Sequence, residues 1–419
     1  MLRSLGAMFA RKPGRLDQSN PETLSATADV PAQLLASGQL NIPIAQMQPE
    51  DVVGHKLIER GRYLARQDLW DELSQEMHAA DAARKVTPCG QPVVDLLAFG
   101  ARSDVVLAVE HALSDGKAIQ EYDLLCGISE LENEYRLHSG DPMIGLVVAL
   151  THIDMAWAWR GTATDATLPP LHSARCAAHF DRAAAVLPLC QSRLADSPAL
   201  AAAECALLAS QPQAQARVAQ KYEALIALDP QNQRHMRAMG THLLPRWFGS
   251  HQELEVQALR IAAQTHSVWG AGGYTWVQFD AIALDDDALA QVDVEYFLEG
   301  LCDIVHRRPD QQMINLLAAY CAITLQKRAG INPKADEARE QICEAAQWLI
   351  RDHMTELHPM IWAHAADGFN NSLRINSPER FAARGHTDAL RAISDLFREE
   401  LRSGQSVTFT PSGLQFSGN

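Results

Sequence analysis

Aromatic side chains are scarce in this sequence, since Phe, Trp and Tyr make up 6% of its 419 residues, while alanine is abundant. Strands favour β-branched and aromatic residues, whereas small side chains such as alanine allow helices to pack closely. The composition therefore disfavours a β-sandwich and favours an all-α fold.

Paired cysteines are also lacking, because none of the eight cysteines forms a C-x-x-C motif. Most of them lie within apolar, helical stretches such as 203–209. Such a distribution indicates neither a disulfide framework nor a cysteine-based zinc site. We expect reduced, buried thiols in a cytoplasmic protein.

Basic residues are fewer than acidic ones, with 36 Lys and Arg against 51 Asp and Glu, and the formal net charge is −15. An acidic surface repels the phosphate backbone, so nucleic-acid binding is not expected. The same charge favours a protein or peptide partner of basic character.

Long apolar runs are absent: the most apolar stretch, 143–150, is followed by Thr151, His152 and Asp154. A membrane-spanning helix needs about 20 predominantly apolar residues. The basic segment 1–15 contains an apolar part too short for a secretion signal. We therefore expect no transmembrane span, and a weak contact of this segment with a membrane surface stays open as an alternative.

Motifs for metal binding, cofactors and nucleophilic catalysis are missing, among them H-E-x-x-H, G-x-S-x-G and the phosphate-binding loop. His353, His358 and His364 are unsuitably spaced for one helix face, and Pro359 separates them. The acidic run 285–287 lacks the last residue of a D-D-x-x-D motif. We expect no catalytic residue, no metal and no cofactor.

The chain divides by composition and periodicity into four parts. Residues 1–48 are polar and predicted to be a disordered lead-in, while 49–290 carry apolar stripes at helical spacing. Residues 291–402 form a second helical unit, predicted to stack on the first, and the tail 403–419 is either a β-hairpin or a disordered end. About fourteen helices joined by short turns predict an irregular α-solenoid of antiparallel pairs.

Several helix ends are marked by capping residues. Asp141-Pro142 and Ser197-Pro198 each place a cap before a proline at the first helical position. Ser250 and Glu253 form a capping box that predicts a helix over 251–265. Pro188 predicts the end of a helix that covers 172–187.

The helix pairs resemble tetratricopeptide (TPR) repeats, which place small and aromatic residues at fixed offsets and a proline after the second helix. No strict period of about 34 residues runs through the chain, so the resemblance implies TPR-like pairs rather than a regular array. The segment 244–250, Leu-Pro-Arg-Trp-Phe-Gly-Ser, resembles a signature of uncharacterised proteobacterial TPR-like proteins, a family without an established activity. The residues that carry the repeat pattern are Gly61, Asp68, Trp70 and Ala80 in one unit, Cys176, Phe180, Ala183 and Pro188 in a second, and Tyr222, Asp229 and Pro230 in a third.

Two turns that flank the helix 251–265 are candidate binding sites. The first carries Arg246 and Trp247, which would anchor a peptide or a small anion. The second is rich in glycine and carries Trp269, Tyr274 and Trp276 as a sticky surface. The structural alternatives are a rigid elbow for the first turn and a tight turn between packed helices for the second.

Three functions follow from these features. The first is a protein–protein interaction scaffold that uses a concave helical surface and performs no catalysis. The second is a small-molecule-binding or enzymatic protein that uses the Trp/Gly-rich turn. The third is an acidic immunity or inhibitor-type protein that masks a basic active site.

Overall fold

The fold was analysed in a computed structural model of the chain, which describes residues 39–45, 49–88, 90–114, 121–161, 167–211, 213–328, 330, 332–369 and 377–418. These residues form eighteen α-helices and one three-stranded sheet, so the predicted all-α class is confirmed. Most of the expected disordered lead-in 1–48 lies outside the described residues.

The chain divides into two compact units, an N-terminal unit containing Pro49–Met239 and a C-terminal unit containing Gly240–Asn419 together with the segment 39–45. The boundary between these two units lies within one helix. Residues on the two sides of position 291 pack closely, since a Cβ atom at Gly300 would lie 2.8 Å from the carbonyl oxygen of Ala271.

The N-terminal unit is built entirely from helices in its described part. Its helices are α1 (Pro49–Arg66), α2 (Trp70–Ala82), α3 (Val93–Ser114), α4 (Glu121–Leu137), α5 (Pro142–Arg160), α6 (Pro170–Gln191), α7 (Pro198–Leu207), α8 (Val218–Leu228) and α9 (Gln233–His242), the last of which crosses the boundary.

Helices α1 and α3 cross at backbone-to-backbone distance. A Cβ atom at Gly61 would lie 2.1 Å from the carbonyl oxygen of Leu97, and one at Gly100 would lie 2.1 Å from that of Ile58. Only glycine allows two helices to approach this closely. The two glycines therefore fix how α3 lies on α1.

Helix α5 is the apolar centre of the N-terminal unit. Its cap is confirmed, since the Asp141 carboxylate accepts hydrogen bonds from the amides of Met143 and Ile144. Among the described residues it is the one helix long and apolar enough to cross a membrane, yet 83% of its most apolar window is buried inside the fold. It packs against α3 and α6. This burial is that of a core helix, so the described chain has no clear transmembrane span.

The C-terminal unit combines helices with a small sheet. Its helices are α10 (His251–Trp269), α11 (Gly272–Leu284), α12 (Asp286–Leu289), α13 (Val294–Arg307), α14 (Gln311–Ala319), α15 (Pro333–Trp348), α16 (Pro359–Asp367), α17 (Pro378–Leu396) and α18 (Arg398–Arg402). Two π-helical segments, Tyr320–Thr324 and Leu349–His353, continue α14 and α15.

The predicted tail forms the β-hairpin of the sheet. Strand β2 (Ser406–Thr410) pairs antiparallel with β3 (Gly413–Ser417). The two-residue strand β1 (Leu40–Asn41) pairs parallel with β2. This strand falls within the segment expected to be disordered, and residues 39–45 are held by backbone hydrogen bonds to Val407 and Leu357.

Two further helix starts agree with their predicted caps, and one predicted helix end does not. Ser197 accepts a hydrogen bond from the Leu200 amide, and Ser250 accepts one from the Glu253 amide, so both predicted helix starts are confirmed. The predicted helix end at Pro188 is wrong, because α6 continues to Gln191. Pro188 lies in the last turn of α6, where it removes one internal hydrogen bond, to the carbonyl of Ala184, without stopping the helix.

The crossing of α1 and α3 yields a paired prediction. Gly61→Ala is expected to destabilise the protein by about 1–3 kcal/mol or more, because its methyl group overlaps the Leu97 carbonyl. Gly54→Ala in the same helix meets nothing within 4 Å and is expected to be neutral or to stabilise by about 0.5–1 kcal/mol. Chemical denaturation followed by circular dichroism measures both, and equal effects at the two positions would contradict the close crossing.

Candidate functional site

The Trp/Gly-rich candidate residues lie in the interior of the C-terminal unit. The side chains of Trp269, Tyr274 and Trp276 have exposed fractions of 1%, 0% and 0%. The two indole rings meet edge to face at 5.9 Å. The Tyr274 hydroxyl donates to Glu255 at 2.8 Å and accepts from the Asp293 amide at 2.9 Å. These rings therefore form core contacts, and the expected sticky surface is not present at this turn.

The glycines of this stretch bring helices together. Gly270 has a φ of +60° and ends α10. A Cβ atom at Gly273 would lie 2.3 Å from the Thr265 hydroxyl oxygen, and one at Gly272 would lie 2.6 Å from the Ile304 side chain. The arrangement matches the tight turn between packed helices that was the structural alternative.

Arg246 and Trp247 lie in a separate turn between α9 and α10. Arg246 is exposed and Trp247 is partly buried. The Trp247 ring lies 6.2 Å from the His242 ring and 6.0 Å from the Phe248 ring. The turn is an aromatic elbow with Arg246 at its surface.

Polar residues of α4, α5 and α6 form a second cluster. His152 Nε2 lies 3.0 Å from Glu132 Oε1, and His152 Nδ1 lies 2.8 Å from His179 Nδ1. The guanidinium of Arg182 lowers the pKa of Glu132 to about 2, while burial lowers that of His179 to about 4. His152 is thus a buried, hydrogen-bonded histidine. Among the described residues, no group of three or more acidic, histidine or cysteine side chains is placed to hold a metal ion.

A pocket of about 330 Å³, open solvent at its mouth included, lies in the N-terminal unit and was not anticipated from the sequence. Residues from the end of α2, the start of α3, the start of α7 and the segment from Asp229 into α9 line it. Its ionisable residues are Asp81, Arg84, Lys85, Asp95, Asp229 and His235.

Arg84 connects the chain segments around this pocket through hydrogen bonds to their backbones. It has a φ of +50°, in the left-handed region that non-glycine residues rarely adopt. Its guanidinium donates to the carbonyl oxygens of Asp81 and Asp196 at 2.8 Å and of Leu228 at 3.2 Å. These bonds join the ends of α2 and α8 to Asp196, which lies just before the capping residue of α7.

Two of the three pocket carboxylates already have partners. Asp81 is buried and accepts a hydrogen bond from the Ala199 amide at 3.2 Å, which ties α2 to the start of α7. Burial raises the pKa of Asp81 despite this bond. Asp229 lies 3.5 Å from His235 Nε2. Although burial opposes the shift, hydrogen bonds from His235 and Asn232 lower the pKa of Asp229.

Asp95 is the carboxylate without a hydrogen-bonding partner among the described residues. It lies in the first turn of α3 and is partly buried. Burial raises its pKa to about 6, an effect that His235, Arg102 and Arg234 reduce and that Asp81 reinforces. An ionised group removed from water without a partner is costly unless a ligand supplies one. The pocket thus presents an acceptor that lacks a donor.

The three carboxylates of the pocket outnumber its two permanently charged bases, Arg84 and Lys85, and this excess favours a cationic ligand. A carboxylate only accepts hydrogen bonds, and Asp81 and Asp229 add negative charge on the same lining. The positive charge of Arg84 is directed at backbone carbonyls, and Lys85 is exposed to solvent, which screens it.

No protein family, curated protein or solved structure matches the chain. The resemblance to TPR-like proteins therefore stays a prediction.

The buried tryptophans allow a test of their role. Trp269→Ala is expected to lower the free energy of unfolding by about 3–5 kcal/mol, because it empties a fully packed site. Trp247→Ala, at a partly buried position, is expected to cost clearly less. Urea denaturation of both variants measures the difference. A fully stable Trp269→Ala protein would show that this ring does not support the core.

The raised pKa of Asp95 gives a pH-dependent prediction. In the native state the Asp95 carboxyl keeps its proton up to about pH 6. Its ionisation above that pH lowers the free energy of unfolding. The free energy of unfolding therefore recovers as the pH falls through about 6 toward 4. Asp95→Asn should therefore be more stable than wild type at about pH 7.5, by about 1–2 kcal/mol after allowance for solvent screening.

Denaturation at about pH 7.5 and about pH 4 measures this effect, which should disappear at the lower pH. Asp181→Asn is the matched control, because Asp181 is exposed in the same unit. If Asp95→Asn is less stable than wild type at the higher pH, the carboxylate has a partner in solution and the pocket is already neutralised.

Proposed function

We propose that this protein is a cytoplasmic interaction scaffold, without catalytic activity, that binds a basic segment of a partner protein in the pocket of the N-terminal unit. The observation that carries the proposal is the Asp95 carboxylate, which has no hydrogen-bonding partner among the described residues. A cationic group of the partner supplies the missing donor and charge.

The charge of the whole chain supports the same partner. A net charge of −15 attracts basic proteins at long range and raises their rate of encounter. That attraction does not depend on shape, so it assists binding without deciding where the partner docks. The pocket adds the local complementarity that a specific contact requires.

The resemblance to TPR-like proteins is a second, weaker support. Helical-repeat proteins commonly present side chains from neighbouring helices to an extended peptide. The pocket lining likewise comes from the ends of several helices. An inhibitor-type protein would bind a basic partner in the same way, so it is a special case of this proposal.

A small cationic molecule is the second candidate ligand. The pocket is small and open to solvent, so it would admit a compact cationic group rather than a large ligand. Because Trp269, Tyr274 and Trp276 are core residues, this alternative moves from the Trp/Gly-rich turn to the pocket.

Short fluorescent peptides rich in lysine and arginine test the proposal by fluorescence anisotropy. We expect binding that weakens markedly between about 0.05 and about 0.5 M salt, because exposed charges are screened over a shorter distance. Asp95→Asn is expected to reduce the affinity by about tenfold, equivalent to about 1.4 kcal/mol.

Asp181→Asn changes the net charge by the same amount and is expected to bind as wild type does. Equal loss in both variants would mean that general attraction, not the pocket, holds the peptide. Binding of small primary amines without binding of any peptide would favour the small-molecule alternative.

A further inference from the structure

The walls of the pocket are aliphatic. Among the described residues that line it, the apolar ones are Ala80, Val86, Pro92, Val94, Pro198 and Ala202, with Ala199 beside them. None of these apolar residues is aromatic, and the one aromatic ring among the described lining residues is the His235 imidazole. A cation that enters must therefore carry its own apolar stem along the walls and find its hydrogen-bond acceptor at Asp95.

Backbone contacts join described residues at the rim of the pocket, on either side of residue 89. Val86 pairs with Pro92 in an isolated antiparallel bridge. Between these two residues, the Thr87 amide donates to the Gln91 carbonyl at 2.8 Å, and the Gly90 amide donates to the Thr87 carbonyl at 2.9 Å. The Val86 side chain is 49% exposed at this position. It offers aliphatic surface to a chain that approaches from solvent.

Lysine fits these two features better than other cationic groups. Its four-carbon stem packs on apolar surface while its compact ammonium group donates three hydrogen bonds. Arginine has a planar fork that gains much of its affinity from paired contacts and from stacking on aromatic rings. A trimethylated lysine donates no hydrogen bond and is usually held by aromatic rings.

We propose that the pocket recognises the side chain of one unmodified lysine in the partner protein, in preference to arginine, acetyl-lysine and trimethyl-lysine. This inference rests on the proposed function, since it specifies which basic group enters the same pocket. The stem lies against Val86, Pro92 and Pro198, and the ammonium group donates to the Asp95 carboxylate, with Asp229 adding to the negative potential.

Acetylation of that lysine removes both the charge and two of the three donors, so modification of the partner would release it. The remaining amide hydrogen is a neutral donor and forms a weaker bond with a carboxylate. Arginine at the same position keeps the charge and loses only the fit. The two substitutions therefore separate charge from shape.

The experiment uses the full-length chain and a basic peptide found to bind it, with each lysine in turn replaced by arginine, acetyl-lysine or trimethyl-lysine. At one lysine position, we expect each replacement to weaken binding by about tenfold or more, measured by isothermal titration calorimetry. The discrimination should be lost in Asp95→Asn and kept in Asp181→Asn. Circular dichroism establishes that both variants are folded.

A second pair of variants tests the rim without altering the carboxylate. Val86→Lys places a like charge at the mouth, while Val256→Lys makes the same change at a position that is 51% exposed in the C-terminal unit. Both positions tolerate a polar side chain because they are exposed. We expect about tenfold weaker binding for the first variant and no change for the second.

The outcomes separate the two proposals. If arginine peptides bind as tightly as lysine peptides at every position, the preference for lysine is wrong while the scaffold function stands. If no basic peptide binds the wild-type chain, the proposed function itself fails. If Val86→Lys binds as wild type does, the lysine enters elsewhere and the pocket assignment is overturned.

Discussion

The contact between α1 and α3 is the constraint on which the pocket depends. Gly61 and Gly100 allow the two helix backbones to meet, because a carbonyl oxygen of the other helix occupies the space that a Cβ atom would need. The Leu97 carbonyl that Gly61 accommodates lies two residues after Asp95. The crossing therefore fixes the first turns of α3, and with them the direction from which Asp95 enters the pocket. A side chain at Gly61 would displace that carboxylate along with the helix.

Other buried carboxylates of the chain form ion pairs, and Asp95 differs from them in this respect. Asp154 pairs with Arg102 at 2.7 Å in the N-terminal unit, and Asp286 pairs with Arg339 at 2.8 Å in the C-terminal unit. Asp286 also lies in the first turn of a helix, as Asp95 does, so helix position alone does not explain the difference. A native fold generally satisfies its buried charges, and exceptions concentrate where function opposes stability. Asp95 has no such ion pair among the described residues, and burial raises its pKa.

Local features of the fold were predictable from the sequence because their causes are local. A cap residue and the amide that it accepts from lie within three residues of each other, so Asp141, Ser197 and Ser250 each predicted a helix start that the structure confirms. The parallel strand β1 was not predictable in this way, since it has two residues and its partner lies near residue 407. Pro188 predicted a helix end wrongly because a proline costs one amide hydrogen bond and a clash with the preceding turn, and α6 continues for three residues despite that cost.

The pocket could not be predicted from the sequence because its residues are distant from one another along the chain. Its carboxylates come from residues 81, 95 and 229, and each reads in sequence as an ordinary helix end or start. The Trp/Gly-rich stretch presented the opposite difficulty, because glycine and tryptophan together favour both a ligand site and a tight helix crossing. The fully buried rings of Trp269 and Trp276 decide for the crossing. Local sequence patterns report how a segment folds, whereas a pocket is a property of segments that meet.

The net negative charge of the chain affects the rate at which a partner is encountered, whereas the carboxylates of the pocket affect which ligand is bound. Most of the charge behind the total of −15 is exposed, and exposed charges are screened beyond about 8 Å at physiological ionic strength. Such charge raises the rate of encounter with any basic surface and distinguishes poorly between lysine and arginine. A partly buried carboxylate between aliphatic walls is screened less and accepts a ligand of one shape. Specificity in this protein is therefore expected to come from the few residues around Asp95, while the remaining acids bring basic partners to it.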